Sequence, residues 1–261
     1  YAFHRCTSTA CVGRSEPPLL KFDSSGKHVM SWGSGMLVWP HGLDVDGEGN
    51  IWITDGRADS GRGEQVFKIS TDGEVLMTIG TAGVAGDGPY TFDGVSDVQV
   101  ADNGDIFVAD GHNNSRIVKY SPEGEFIMEW GKAGSAPGEF NQPHALAMDS
   151  QGRLFVADRE NLRIQIFDQE GEFKGMWTGF RQPTDLKVGP DGEFYVPELA
   201  HRFTIVDGDG EVYRASSARV GDSKGLGDHL GDAPDVGNHP RRLGGRQGHA
   251  DLVDLLHRAP A

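Results

Sequence analysis

The chain has 261 residues, with 39 acidic against 24 basic side chains and a net charge of −15. That balance argues against nucleic acid or an anionic membrane as a partner. No apolar run approaches the roughly 20 residues that span a bilayer, and the 38 glycines suit a chain built from tight turns.

The chain opens at YAFHRC, already in a strand-like pattern with no signal peptide before it, so a fragment lacking its leader is expected. Strands are predicted at Tyr1–Arg5, Leu19–Asp23 and His28–Trp32, the later part of a structural unit whose inner strand is not visible. Cys6 and Cys11 lie five apart. They fit a local disulfide, which would suit export, or two inert thiols. Residues 40–80 then carry four short alternating runs: PHGLDVD, NIWITDG, QVFKIS and EVLMTIG. The same order recurs over 93–131, 143–179 and, shorter, 183–216. Alternation at period two predicts strands with one face buried. Between units, stretches such as TAGVAGDGPYTF and KAGSAPGEFNQ are rich in Gly and Pro, as surface connections should be.

Two glycines punctuate each unit. Gly49, Gly104, Gly152 and Gly192 are spaced by 55, 48 and 40 residues, and Gly26, Gly73, Gly124, Gly171 and Gly210 by 47, 51, 47 and 39. Two hairpins per period imply about four strands per period, the signature of a β-propeller blade. After Ser217 the pattern stops. Residues 218–261 hold no Trp, Phe or Tyr and six Asp but no Glu, so the organisation expected is a propeller over 1–217 and an atypical tail over 218–261 that builds no regular blade.

The hairpin glycines also set a register. Eight residues before each stand His41, Ser96, His144 and Thr184. First strands line a propeller's channel, so equivalent positions converge at one height. His41 and His144 should therefore face one another, either as metal ligands or as polar residues in a wet channel. Arg159 follows Asp158 at a strand end, where its guanidinium could fork a carboxylate or bridge two blades, and Arg5 carries the same two readings. Arg116 and Arg163 are expected to tie blades together, and Asp46, Asp55, Asp110, Asp149 and Asp158 to cap turns.

Four stretches carry a resemblance: FHR at 3–5, PHGLDVDGEGNIWITD at 40–55, DGHNNSRIVKYSPEGEFI at 110–127, and PGEFNQPHALA with VADRENLRIQIF within 137–167. The repeats resemble NHL repeats, and the chain resembles the peptidyl-α-hydroxyglycine α-amidating lyase family over roughly residues 1–216. The resemblance implies an all-β, six-bladed propeller of NHL-type four-stranded blades, here incomplete at its C-terminus. It also implies a central zinc and a structural calcium. By motif, His41 and His144 match two of the family's three zinc histidines, Arg5 and Arg159 match active-site arginines, and Leu43 matches the residue whose carbonyl binds calcium. Two departures stand out. His112 replaces the family's catalytic tyrosine, and no third histidine stands on a later inner strand, where Thr184 occupies the register.

The reaction implied is cleavage of a carbinolamide C–N bond to an amide and glyoxylate. His112 is expected as the catalytic base, because an ordinary imidazole titrates near neutrality and a phenol does not. Against this, loss of the tyrosine could mean loss of the chemistry. A non-catalytic NHL propeller binding a protein or peptide across its face is the alternative. A calcium-dependent, lactonase-type hydrolase is a third reading, and it would need acidic residues converging on the channel. A small-molecule or peptide substrate and an extracellular or periplasmic location complete the expectation.

Overall fold

In the computed structural model, residues 1–7, 10–199 and 201–217 are described. They form five antiparallel sheets arranged as propeller blades. The first has three strands, β1 (Ala2–Phe3), β2 (Leu19–Phe22) and β3 (His28–Trp32). The second runs from the channel outward as β4 (Pro40–Val45), β5 (Ile51–Asp55), β6 (Gln65–Ile69) and β7 (Val75–Ile79). The third is β8 (Val95–Val100), β9 (Ile106–Asp110), β10 (Arg116–Tyr120) and β11 (Phe126–Trp130). The fourth is β12 (Pro143–Met148), β13 (Leu154–Asp158), β14 (Arg163–Phe167) and β15 (Phe173–Thr178). The fifth is β16 (Lys187–Val188), β17 (Phe194–Glu198), β18 (Arg202–Val206) and β19 (Val212–Ser217). The expected behaviour of residues 218–261 lies outside the described residues.

Every glycine that marks the repeat sits in a hairpin with positive φ, from 75° at Gly152 to 89° at Gly73. An L-residue with a Cβ is strained there. Beside them, Asp46 and Asp149 cap their turns: each carboxylate accepts backbone N–H bonds from residues two and four positions on.

The period-two reading needs one correction. On β5, β9 and β13 all five residues are buried. Alternation here separates one neighbouring blade from the other rather than core from solvent. Ile51 and Ile53 pack with Leu19, Leu37 and Phe67, whereas Trp52 packs with Phe92, Val95 and Val108. Phe107 and Ala109 turn the opposite way, onto Phe140, Leu146 and Val156. The core is thus a series of layers between blades, and these hold the inner strands at fixed angles around the channel.

Buried ion pairs close the blade corners. Asp110 meets Arg116 at 3.0 Å, Asp158 meets Arg163 at 2.7 Å, and Glu198 meets Arg202 at 2.7 Å. Arg163 also donates to the carbonyls of Ser135, Ala136 and Glu139 on the incoming inter-blade loop. Arg116 and Arg163 therefore tie strands to loops, in keeping with their place in the repeat.

A candidate metal and anion site at the channel mouth

His41, at the start of β4, and His144, at the start of β12, face one another with ring centroids 4.8 Å apart. The glycine register explains the rest of their setting. His41 Nδ1 lies 2.7 Å from the carbonyl oxygen of Ser96, and His144 Nδ1 lies 2.7 Å from that of Thr184. Each imidazole thus bonds to the same-register residue of the next blade. A carbonyl only accepts, so each Nδ1 carries the proton and each Nε2 keeps its lone pair free for the channel.

His112 joins them from a different kind of position, the loop after β9. Two glycines bring it in. A Cβ on Gly111 would lie 1.7 Å from the Pro143 carbonyl oxygen, and one on Gly94 would lie 2.4 Å from the His112 Cβ. The loop therefore packs directly on the next inner strand, with the His112 N–H donating to the Gly94 carbonyl at 3.0 Å. His112 Nε2 ends 2.9 Å from His41 Nε2. One ring nitrogen from each of His41, His112 and His144 falls within 4.8 Å of the others.

Three arginines surround this group. Arg5 lies over the Trp39 ring at 4.7 Å and donates to the Pro40 carbonyl at 3.2 Å. Arg57 lies over the same indole at 4.9 Å. Arg159 opens a 3-10 turn (Arg159–Asn161) and pairs with Glu160 at 3.0 Å while donating to the Gln142 side chain. Burial and these guanidinium groups disfavour imidazolium. His112 is pushed down to about 4 by burial, then Arg159, Arg5 and Arg57. His144 falls to about 3 by burial, then Arg159 and His112, and His41 falls well below the usual range. All three rings are neutral at physiological pH. Burial and the neighbouring arginines thus hold His112 below the neutral range in which a general base works best.

The mouth opens into a cleft of about 410 Å³ lined by Trp39, Arg57, Asp93, His112, Asn113 and Gln142. A larger cleft of about 1090 Å³ lies at the opposite end of the inner strands, among hairpin turns that include Asp46, Asp102 and Asp149, and no histidine lines it.

Neutral imidazoles with their outer nitrogens held by carbonyls are a fitting donor set for zinc. Calcium fits less well. The Leu43 carbonyl accepts a bond from Lys187 Nζ at 3.3 Å, and that ammonium stands 3.8 Å from Asp44. The position implied for calcium therefore already faces a cation of the chain's own.

Acidic groups also converge on the channel, deeper than the histidines. Lys187 feels Asp97, Asp44 and Asp185. Burial raises Asp97 to about 7, partly offset by Lys187. The glycine register carried this signal, since Asp97 and Asp185 each follow their histidine-equivalent position by one residue. Arg57, in the loop after β5, had no such signal.

Residues 140–167 match the NHL repeat model. The human NHL repeat-containing protein 3 is 36% identical over 198 residues, covering 70% of this chain and 56% of that protein. Peptidyl-alpha-hydroxyglycine alpha-amidating lyase 1 of Drosophila melanogaster is 42% identical over 156 residues, covering 55% of this chain and 28% of that protein. A probable lyase of the same name from Caenorhabditis elegans is 34% identical over 196 residues, covering 72% and 54%. The chain thus spans about half the length, or less, of these curated relatives. Among solved structures, a Bacteroides caccae protein of unknown function aligns with TM-score 0.56 at 15% identity, covering 78% of this chain and 72% of that one. A streptogramin B lyase aligns with TM-score 0.51 at 17% identity, covering 69% and 54%. At these identities the structural likeness concerns the fold alone.

Proposed function

We propose, from the premise that this chain is an NHL-repeat β-propeller resembling the peptidyl-α-hydroxyglycine α-amidating lyases, that it is a metal-dependent lyase of the same reaction class. The observation that carries this reading is the convergence of neutral imidazoles, His41 and His144 among them, beneath Arg5, Arg57 and Arg159.

The reaction is redox-neutral. The carbinol hydroxyl loses its proton, a C=O bond forms, the C–N bond breaks with its electron pair passing to nitrogen, and nitrogen takes up a proton. The products are an amide and glyoxylate. A divalent ion held by His41 and His144 would supply Lewis acidity at the hydroxyl oxygen. The chain's own residues bind and orient the substrate. Arg5 presents a guanidinium without a carboxylate partner among the described residues, and Arg57 does the same beside it. Both suit the carboxylate that becomes part of glyoxylate. Arg159, braced by Glu160 and Gln142, contributes positive potential and holds the rim. No proton transfer is assigned to His112, whose basicity is too low.

The Cys6–Cys11 disulfide, with Cα atoms 5.0 Å apart, supports an oxidising compartment, extracellular or periplasmic. Among the described residues no helix is long and apolar enough to cross a membrane. A second reading, a non-catalytic propeller that binds a peptide through its face, draws on the alignment with NHL repeat-containing protein 3.

Glyoxylate release from a peptidyl-α-hydroxyglycine, measured with added zinc, separates the two. The lyase reading predicts release above the free-ion rate by the full chain and at least about a 100-fold loss in His144→Ala, since a metal site missing a ligand loses its Lewis acid. Equal release by the wild type and His144→Ala would dismiss the metal site. Release no faster than free zinc would favour the binding scaffold.

A further inference from the structure

We infer that His112 is a metal ligand, not a base, and that His41, His112 and His144 form a complete three-imidazole site within the first four blades. The inference rests on the metal-dependent reading above and adds the identity of the third ligand.

Four features of the geometry support it. First, His41 Nδ1 is committed to the Ser96 carbonyl, so its Nε2 has no proton to give. His112 Nε2 stands 2.9 Å from that lone pair, so in the metal-free protein His112 donates across the gap. A bound ion would take the place of that shared proton, with His112 then carrying its proton on Nδ1 and offering Nε2 as the ligand atom. Second, the three rings are inclined at 66° to 76° to one another rather than stacked, and one ring nitrogen of each lies within 4.8 Å of the others.

Third, a base is normally held by an orienting partner on its far nitrogen. Among the described residues no carboxylate is bonded to His112, and its one ring hydrogen bond runs to another imidazole. Fourth, the close backbone approach at Gly111 and Gly94 fixes where His112 enters the channel mouth, beside His41 and His144. Nitrogens that share an ion at about 2 Å each lie at most about 4 Å apart. The widest separation, within 4.8 Å, therefore has to close by up to about 0.8 Å, which a small side-chain rotation accomplishes.

Three protein ligands and one open position make a catalytic rather than a structural arrangement. The site takes a nitrogen-preferring divalent ion, and the cleft beside His112 offers the open position to substrate. Thr184 stands where a further inner-strand histidine would be expected, and it serves the site differently, by orienting His144 through its carbonyl.

The test uses Co2+ as a spectroscopic probe on the full chain. Binding is followed by visible ligand-field absorption, and imidazoles are counted by X-ray absorption. The wild type should bind one ion per chain with three imidazoles. His112→Gln should weaken binding by more than about 100-fold, the upper range for loss of a group that merely supports a ligand, whereas the exposed His28→Ala control should not. Thermal melting of His112→Gln establishes that it is folded. If folded His112→Gln binds Co2+ as tightly as the wild type, with two imidazoles in both, the assignment of His112 is overturned while the metal reading stands. If the wild type binds no Co2+, the metal reading falls with it.

Discussion

At the scale of single residues, the site is governed by what surrounds each ionisable group. Three imidazoles under three guanidinium groups stay neutral, and neutral imidazole is the form that binds metal. His41 and His144 were legible in the sequence, because the hairpin glycines fix a register and register fixes height in the channel. The approach of His112 to them was not. His112 stands on a loop outside that register, and its approach depends on Gly111 and Gly94 lacking a Cβ, a tertiary fact with no local signature. Glu64 offers a test of burial at this scale. Its side chain is 2% exposed, accepts a bond from the Gly94 N–H at 2.9 Å, and is raised to about 7 by burial. Between about pH 4.5 and 7 the folded state therefore keeps a proton that the unfolded chain has lost, so stability falls as pH rises through that window. Chemical denaturation at about pH 5 and about pH 8 should show the wild type losing more stability than Glu64→Gln. Equal losses would mean that Glu64 is ionised throughout.

At the scale of elements, the strands other than the fifth blade's inner one were legible to within about two residues because each is bounded by a turn with its own chemistry. The meaning of their alternation was less legible. A pattern that distinguishes core from solvent in an ordinary sheet here distinguishes one adjacent blade from the other, as Trp52 against Ile51 and Ile53 shows. The fifth blade's inner strand is reduced to Lys187–Val188, although the stretch reads as a full strand; Pro183 still bridges to Glu198. The blade corners should carry much of the stability. Arg163→Ala leaves the Asp158 carboxylate buried without its cation and takes one donor from each of three loop carbonyls, of which Glu139 keeps Gln165 and Ala136 keeps the Glu139 N–H. Breaking a buried pair from one side costs about 3 kcal/mol or more, which urea denaturation should resolve. A loss below about 1 kcal/mol would mean that water enters the corner and replaces the guanidinium.

At the scale of the whole molecule, the propeller brings distant sequence positions to one axis. His41, His112 and His144 span more than a hundred residues yet meet at one mouth, with Lys187 and its three aspartates deeper in the channel. The histidine layer faces a guanidinium-rich rim and the deeper layer an internal ammonium among aspartates. The central claim is that the upper level holds a divalent ion, and the metal content of the full chain purified without chelator tests it most directly. The account predicts about one zinc per chain in the wild type and almost none in a folded His41→Ala/His144→Ala double variant. Wild-type protein that remains metal-free after incubation with zinc, or a double variant that retains the ion, would contradict it.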